Sequence, residues 1–323
     1  MAAPPNRIIR GENLKVLPTL GDGAFQMVYI DPPFNTGKRQ TARTLKIQPD
    51  DGGDRIGFAG RRYASRLLAG SSYVDEFGDY LAFLEPRLVQ ARRVLAASGT
   101  LYFHIDYREA HYCKLLLDEV FGRENFLNEI IWAYDYGARA TRRWPAKHDT
   151  ILVYARDLAA NYFDAAEVDR EPYMAPGLVT PEKAARGKLP TDVWWHTIVS
   201  PTGREKTGYP TQKPEGIVRR MVLASSRPGD MCLDFFAGSG TLGAVAARHG
   251  RGYVLVDEST AAIKVITARL AAIDPDAPAV ERIPQPRRRR PPATTPPAVA
   301  PLEVTPDAGA PPPRAAPPDS AAG

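Results

Sequence analysis

An acid, two prolines and an aromatic, Asp31-Pro32-Pro33-Phe34, stand directly after the apolar run Phe25-Gln26-Met27-Val28-Tyr29-Ile30. Such a run reads as a buried strand, and the residues after it lie at the carboxyl edge of a sheet, where open α/β sheets bind ligands. The prolines keep the backbone there extended and stiff. Pro33 has no N–H, so the Pro32 carbonyl is fixed with no neighbouring donor competing for it. A carboxylate beside a fixed carbonyl makes two acceptors, which matches the two N–H donors of an amino group. Held in this way, the amine nitrogen keeps more of its lone pair. Phe34 offers a flat face to a base carrying that amine, a contact worth about 1–3 kcal/mol. Four residues of this kind also suit an ordinary loop at a strand end.

A second segment has chemistry of another sort. Asp234-Phe235-Phe236-Ala237-Gly238-Ser239-Gly240-Thr241 joins the strand-like Met231-Cys232-Leu233 to the helix-like Leu242-Gly243-Ala244-Val245-Ala246. Gly238 and Gly240 let the chain turn tightly and approach a ligand. The turn is not a P-loop, because no Gly-Lys-Ser/Thr closes it. It is not the dinucleotide fingerprint either, because Thr241-Leu242 stands where the third glycine belongs. The next strand ends in Asp257, 17 residues after Gly240, where an acid can accept hydrogen bonds from both hydroxyls of a ribose.

The elements around these two turns alternate. Strands are predicted at Arg7 to Arg10, Phe25 to Ile30, Thr100 to Ile105, Asn128 to Tyr134, Thr150 to Tyr154, Met231 to Phe235 and Gly252 to Val256. Helices are predicted at Tyr80 to Ala97, Glu109 to Val120, Glu215 to Ser226, Thr241 to His249 and Thr260 to Ile273. That alternation implies a doubly wound α/β fold with a mostly parallel sheet.

Two segments interrupt it and read as irregular insertions. Residues 37–76 set Lys38, Arg39, Arg43, Lys46, Arg61, Arg62 and Arg66 among Phe58, Tyr63 and Tyr73, a mixture suited to phosphate contact and base stacking. Residues 157–210 include Trp194-Trp195-His196. The expected organisation is one domain over 1–274. Residues 275–323, rich in Pro and Ala and carrying Arg287-Arg288-Arg289-Arg290, read as a disordered tail.

Bulk composition narrows the classes. At 323 residues and 44% hydrophobic the chain can bury a large core. It has no apolar run of about 18 residues, and Met1-Ala2-Ala3-Pro4-Pro5-Asn6-Arg7 lacks the apolar core of a signal peptide, so a cytoplasmic protein without a membrane span is expected. The two cysteines, Cys113 and Cys232, have no ligand spacing, so no metal site is expected. A net charge of +5 permits a polyanionic partner.

Taken together, the two turns resemble the amino-methyltransferases that modify adenine N6 or cytosine N4 in DNA. The acidic turn precedes the Gly-rich turn, as in the permuted β class. Gly208-Tyr209-Pro210-Thr211-Gln212-Lys213-Pro214 is similar to that class's Thr-Gln-Lys-Pro element. Ser98 to Asp106, Asn125 to Trp132 and Lys147-His148-Asp149 match as well, notably in modification subunits of type III restriction systems and their solitary relatives. The resemblance covers about residues 7–273 and implies a Rossmann-like sheet of seven strands in circularly permuted order.

It also implies roles. Phe236, Ala237, Gly238, Ser239, Gly240 and Thr241, with Asp234, would line S-adenosylmethionine, and Asp257 would hold its ribose. Glu12 would stand near the cofactor's adenine, where Asp is usual, and Lys213 would help close the pocket. Asp31 and the Pro32 carbonyl, stiffened by Pro33, would hold the target amine, while Phe34, in place of the more frequent Tyr, would stack on the flipped base. Lys38, Arg39, Arg61, Arg62, Lys147 and His148 would contact double-stranded DNA. The region 157–210, where this class places target recognition, is short. A homodimer and a cognate restriction subunit are the further partners the resemblance raises.

The expected chemistry is direct transfer of the sulfonium methyl to the exocyclic nitrogen. An ordinary carboxylate is too weak a base to deprotonate that amine beforehand. Asp31 would instead tighten its hydrogen bond as positive charge develops and take the proton late. Adenine N6 is the expected target, since Ser more often replaces the first Asp in the cytosine-N4 branch. Cytosine-N4 methylation, an RNA substrate and a catalytically inactive DNA-binding subunit are the other readings.

Overall fold

The computed structural model describes residues 5–35, 38–49, 55–56, 62–75, 79–137 and 140–283, with the main chain alone for 38–75. The strands are β1 (Arg7–Arg10), β2 (Phe25–Ile30), β3 (Lys38–Pro49), β4 (Arg55–Ile56), β5 (Arg62–Asp75), β6 (Leu95–Asp106), β7 (Phe126–Ala133), β8 (His148–Ala155), β9 (Val193–Trp195), β10 (Met231–Asp234), β11 (Gly252–Asp257) and β12 (Val280–Arg282). The helices are α1 (Asn13–Val16), α2 (Tyr80–Val94), α3 (Ala110–Phe121), α4 (Pro181–Arg186), α5 (Glu215–Ser225), α6 (Thr241–Arg248) and α7 (Thr260–Ala271).

Nine strands form the main sheet in the order β12-β1-β11-β10-β2-β6-β8-β7-β9. All run parallel except β8, which is antiparallel to both β6 and β7. The expected seven strands are therefore extended by short edge strands. One of them, β12, pairs with β1 through Ile8↔Val280. Residues 275–283, given to the tail on composition, thus contribute a strand to the domain. A tail is judged by its lack of apolar residues, and a three-residue edge strand needs few of them. The four-arginine run lies outside the described residues.

The core has two layers because the central strands are buried on both faces. Phe25, Val28 and Ile30 of β2 meet Leu84 and Leu88 of α2 and Leu117 of α3. Met27 and Tyr29, pointing the other way, meet Met221 of α5, Leu242 and Val245 of α6 and Ile266 of α7. Both Cys113 and Cys232 are in this core, and burial pushes each thiol up to about 12.

The segment 37–76 corrects the expectation of an irregular insertion. It contains β3, β4 and β5 as an antiparallel sheet of three strands, in which β3 and β5 pair from Lys38↔Asp75 to Pro49↔Tyr63. Its Gly, Arg and Asp content hid the period-two pattern that marks a strand. No helix among the described residues is long and apolar enough to cross a membrane.

Strand order fixes where a site forms. β10 and β2 are parallel neighbours, with Leu233 opposite Val28. From β10 the chain passes outward to β11, and β2 is flanked on its other side by β6. The crevice between β10 and β2 is a topological switch point, and it brings Asp31 and Asp234 to one edge from opposite ends of the sequence.

Candidate active site

A cavity of about 330 Å³ opens at that switch point. Asp31 and Pro33 line it from the acidic turn, and Asp234, Phe236, Ala237, Gly238, Ser239 and Thr241 line it from the Gly-rich turn. Glu12, Lys213 and Asp257, three further expected residues, reach the same space. Pro32, Phe34 and Gly240 stand behind its lining. Pro32 is buried, Phe34 packs on the core, and Gly240 serves the turn itself.

The acidic turn is braced from outside. The Tyr80 hydroxyl donates to the Pro33 carbonyl at 2.6 Å, and the Asn35 side-chain amide donates to Glu109 at 3.0 Å. Asp31 sits deep in the cavity. Its Oδ2 accepts from the Lys213 ammonium at 2.5 Å, and its Oδ1 is buried with no hydrogen-bond partner among the described residues. An unpaired buried carboxylate oxygen costs free energy unless a donor arrives. The Lys213 ammonium also lies 4.7 Å from the centre of the Phe34 ring.

The Gly-rich turn needs its glycines. Gly238 has φ +49°, and a Cβ there would lie 3.3 Å from the Tyr209 ring. Gly240 has φ +71°, and its Cβ would press on Ile266 at 3.0 Å. Thr241 Oγ1 donates to the Lys213 carbonyl at 3.1 Å, which ties the Thr-Gln-Lys-Pro element to the start of α6. Gln212 locks that element, accepting from the Thr207 N–H and donating to the Glu205 carbonyl.

Electrostatics set this cavity apart from the rest of the core. Burial pushes the Asp234 carboxyl well above the ordinary range, and the nearby Asp31 and Asp257 carboxyls push it further. Burial also lifts Asp257 to about 6, against hydrogen bonds from the Ser259 and Gly238 N–H groups at 2.8 and 2.9 Å. Five carboxyl groups, those of Glu12, Asp31, Asp234, Asp257 and Glu258, thus line one space against two cations, Lys213 and Arg87. Mutual repulsion of this kind is relieved by a cationic ligand.

Several residues here went unrecognised in the sequence. Arg87 of α2 reaches across to Asn13 (2.8 Å) and Glu12 (2.9 Å) while lying 3.8 Å over the Phe83 ring. Asn13 in turn donates to the Phe235 carbonyl at 3.0 Å, joining β1's end to the Gly-rich turn. The available signal was an arginine on the otherwise apolar stripe of Leu84, Leu88 and Ala91. Glu258, next to Asp257, also lines the cavity. Nothing distinguishes it in sequence from a surface acid.

Behind Phe34 runs a buried polar chain. The Tyr29 hydroxyl is 3.0 Å from His104 Nδ1, His104 Nε2 is 3.1 Å from Asp149 Oδ2, and the Tyr134 hydroxyl donates to Asp149 Oδ1 at 3.0 Å. Burial acts to raise the Asp149 carboxyl, but its bond to His104, the Lys213 charge and the Tyr134 bond hold it below the ordinary value. Burial keeps the Tyr29 phenol protonated. With the Tyr29 hydroxyl donating to Nδ1, Nε2–H is left to donate to the Asp149 carboxylate. The His104 ring packs on Phe34 at 5.9 Å and meets Trp132 edge-on at 5.6 Å.

The expected DNA contacts are placed in part. Lys147 pairs with Asp135 at 3.7 Å, and His148 lies against Tyr107, both at the carboxyl edge of the sheet outside the cavity. Lys38, Arg39 and Arg62 fall on β3 and β5, where side chains are outside the described part. Arg61 lies outside the described residues altogether.

Comparison with known proteins agrees with this geometry. The family model described as "DNA methylase" matches residues 25–268. The chain is 28% identical over 266 residues to the type II methyltransferase M.HpaI of Haemophilus parainfluenzae, covering 82% of this chain and 74% of that one. It is 29% identical over 272 residues to the DNA adenine methyltransferase YhdJ of Escherichia coli, covering 81% and 82%. Among solved structures, the M1.HpyAVI–SAM complex has the same fold, with a TM-score of 0.52 at 17% identity over 82% of this chain and 98% of that one. Both turns and the strands that carry them fall within the matched span, and the chain belongs to the N6/N4 DNA methylase family.

Proposed function

We propose that this protein methylates the exocyclic N6 of adenine in double-stranded DNA, with S-adenosylmethionine as methyl donor. The observation that carries the reading is Asp31 Oδ1, a buried acceptor without a partner, beside a cavity crowded with carboxyl groups.

The donor and the cavity fit one another. S-adenosylmethionine supplies an electrophilic methyl group on a sulfonium, and it carries an ammonium as well. Its carboxylate leaves a single net positive charge, and the acidic wall of Glu12, Asp31, Asp257 and Glu258 suits that cation. Asp257 and Glu258, in the cavity wall, would take the ribose hydroxyls, and Glu12, Asn13, Phe83 and Phe236 the adenine ring.

For the acceptor base, Asp31 Oδ1 and the Pro32 carbonyl accept hydrogen bonds from the two amine N–H groups, and Phe34 stacks on the ring. Asp31 strengthens its hydrogen bond as the nitrogen gains positive charge and accepts the proton once the bond has formed. The target base must first leave the helical stack, at a cost of a few kcal/mol. Adenine is favoured by the Asp at the head of the turn and by the name of the E. coli relative.

The test is expression in a host lacking DNA methylation, followed by sequencing that reports modified bases. N6-methyladenine at one short motif, absent with Asp31→Ala, is the expected result. A melting curve establishes that the variant is folded. N4-methylcytosine instead would overturn the base assignment and leave the roles of the turns intact. Unmodified DNA would count against the DNA reading.

A further inference from the structure

The loop joining β7 to β8 leaves the sheet at the catalytic edge. Asp149 lies opposite both Trp132 and Asp106, and Ile30, just before Asp31, lies opposite Phe103. The loop spans 134–147 and holds three arginines and one lysine against one aspartate. Its base is rooted. The Tyr134 N–H donates to the Lys147 carbonyl at 2.9 Å, and the Tyr134 hydroxyl joins the Asp149–His104 chain behind Phe34.

Just above this root the loop exposes large aromatic side chains. Trp144 is 95% exposed and Tyr136 is 62% exposed. Arg142 and Arg143, immediately before Trp144, are also exposed, with no side-chain hydrogen bond or ion pair among the described residues. Pro145 comes next and favours an extended backbone at Trp144. The indole, almost fully exposed beside two guanidiniums that no other described side chain engages, is free to meet a partner. It suits a partner that offers flat apolar faces between negative charges. Duplex DNA is such a partner, most of all where a base has left the stack.

We propose that Trp144 stacks against the base stack opened by extrusion of the target, with Arg142 and Arg143 on the flanking phosphates. The inference rests on the DNA reading of the site and is independent of which base is methylated. The loop root ties this contact to the Phe34 face through Tyr134, Asp149 and His104, so opening the helix and holding the extruded base share one scaffold.

The test uses the full chain and two duplexes containing the motif identified in the host. In one the target base is paired; in the other it faces an abasic site and is already loosely stacked. Trp144→Ala is expected to lower kcat/KM about 10-fold or more on the paired duplex. On the abasic duplex the loss should shrink to within about 3-fold, because little stacking remains to be replaced. Trp144→Phe should stay near the wild type on both. Equal losses on the two duplexes, or none on either, would overturn the proposal while the wild-type activity stands. Wild-type inactivity on both would instead sink the DNA reading, and this inference with it. Arg142→Gln with Arg143→Gln should reduce the salt dependence of duplex binding by about one ion per arginine. An unchanged slope would remove the phosphate half of the assignment.

Discussion

The Lys213 ammonium lies 2.5 Å from Asp31 Oδ2 and 4.7 Å from the centre of the Phe34 ring, so one cation touches both groups assigned to the target base. The Lys213 and Asp31 side chains are only 9% and 16% exposed, respectively. Breaking a pair this buried leaves a charge uncompensated, at about 3–5 kcal/mol. Lys213→Met should therefore melt well below the wild type near neutral pH. Adding Asp31→Asn should recover much of that loss, since the stranded charge is gone. A double-mutant cycle by denaturant unfolding measures the coupling; additive effects would show that the two side chains act independently.

Asp234 gives a pH-dependent prediction. Its folded-state pKa is raised well above the ordinary value, by burial and then by Asp31 and Asp257. The native state therefore holds this proton more tightly than the unfolded chain does. Its favourable contribution is complete below the unfolded pKa of about 3.9 and is lost as pH rises through the folded value. Asp234→Asn keeps an acceptor for the Phe236 N–H and removes the charge. It should raise stability by about 1 kcal/mol, or roughly 2–4 °C, at pH 7.5, and the gain should vanish near pH 4. Thermal melts across that range check it. The same variant should bind S-adenosylmethionine more weakly.

Cofactor affinity should have its own acid limit. With Asp257 lifted to about 6, the carboxylate that faces the cavity is neutralised below that pH. Calorimetric titration of the cofactor from pH 8 to pH 5 should show affinity falling through about pH 6. A flat profile would place the cofactor's charges and hydroxyls away from Asp257.

The Tyr29–His104–Asp149 chain predicts a separation of binding from turnover. Asp149→Asn can no longer fix the Nε2–H tautomer of His104, and the packing of that ring under Phe34 loosens. A small displacement of a positioning surface is enough to cost about 10-fold or more in kcat. Cofactor affinity should stay unchanged, because neither His104 nor Asp149 lines the cavity. Steady-state kinetics with calorimetry distinguish this from a general loss of folding.

Arg87 should behave in the opposite way. It holds Glu12 and Asn13 in place, two residues of the cavity wall. Arg87→Met should weaken cofactor binding about 10-fold or more with a smaller effect on saturated turnover. Arg87→Lys should rescue it poorly, since an ammonium cannot reproduce the planar fork that bridges two acceptors over the Phe83 ring.

The alternation of strands and helices, the two turns and their chemical types were all legible in the order of residues. These properties are local. A run such as Phe25 to Ile30 is apolar on both faces whatever packs on it, and Asp-Pro-Pro restricts its own backbone. Boundaries agreed to within a few residues for most central elements, as at Glu215–Ser225 and Gly252–Asp257. Features that require partners distant in the chain emerged with the fold. The basic insertion became a three-stranded sheet because its strands pair with one another, against a composition that masks the pattern. Val280–Arg282 became a strand because β1 offers it an edge. Asp31 meets Lys213, and Asp234 is crowded by Asp31 and Asp257, because β2 and β11 flank β10. Spacing along the chain carries no information about that adjacency, and the adjacency is what turns three ordinary acids into a cation-seeking cavity.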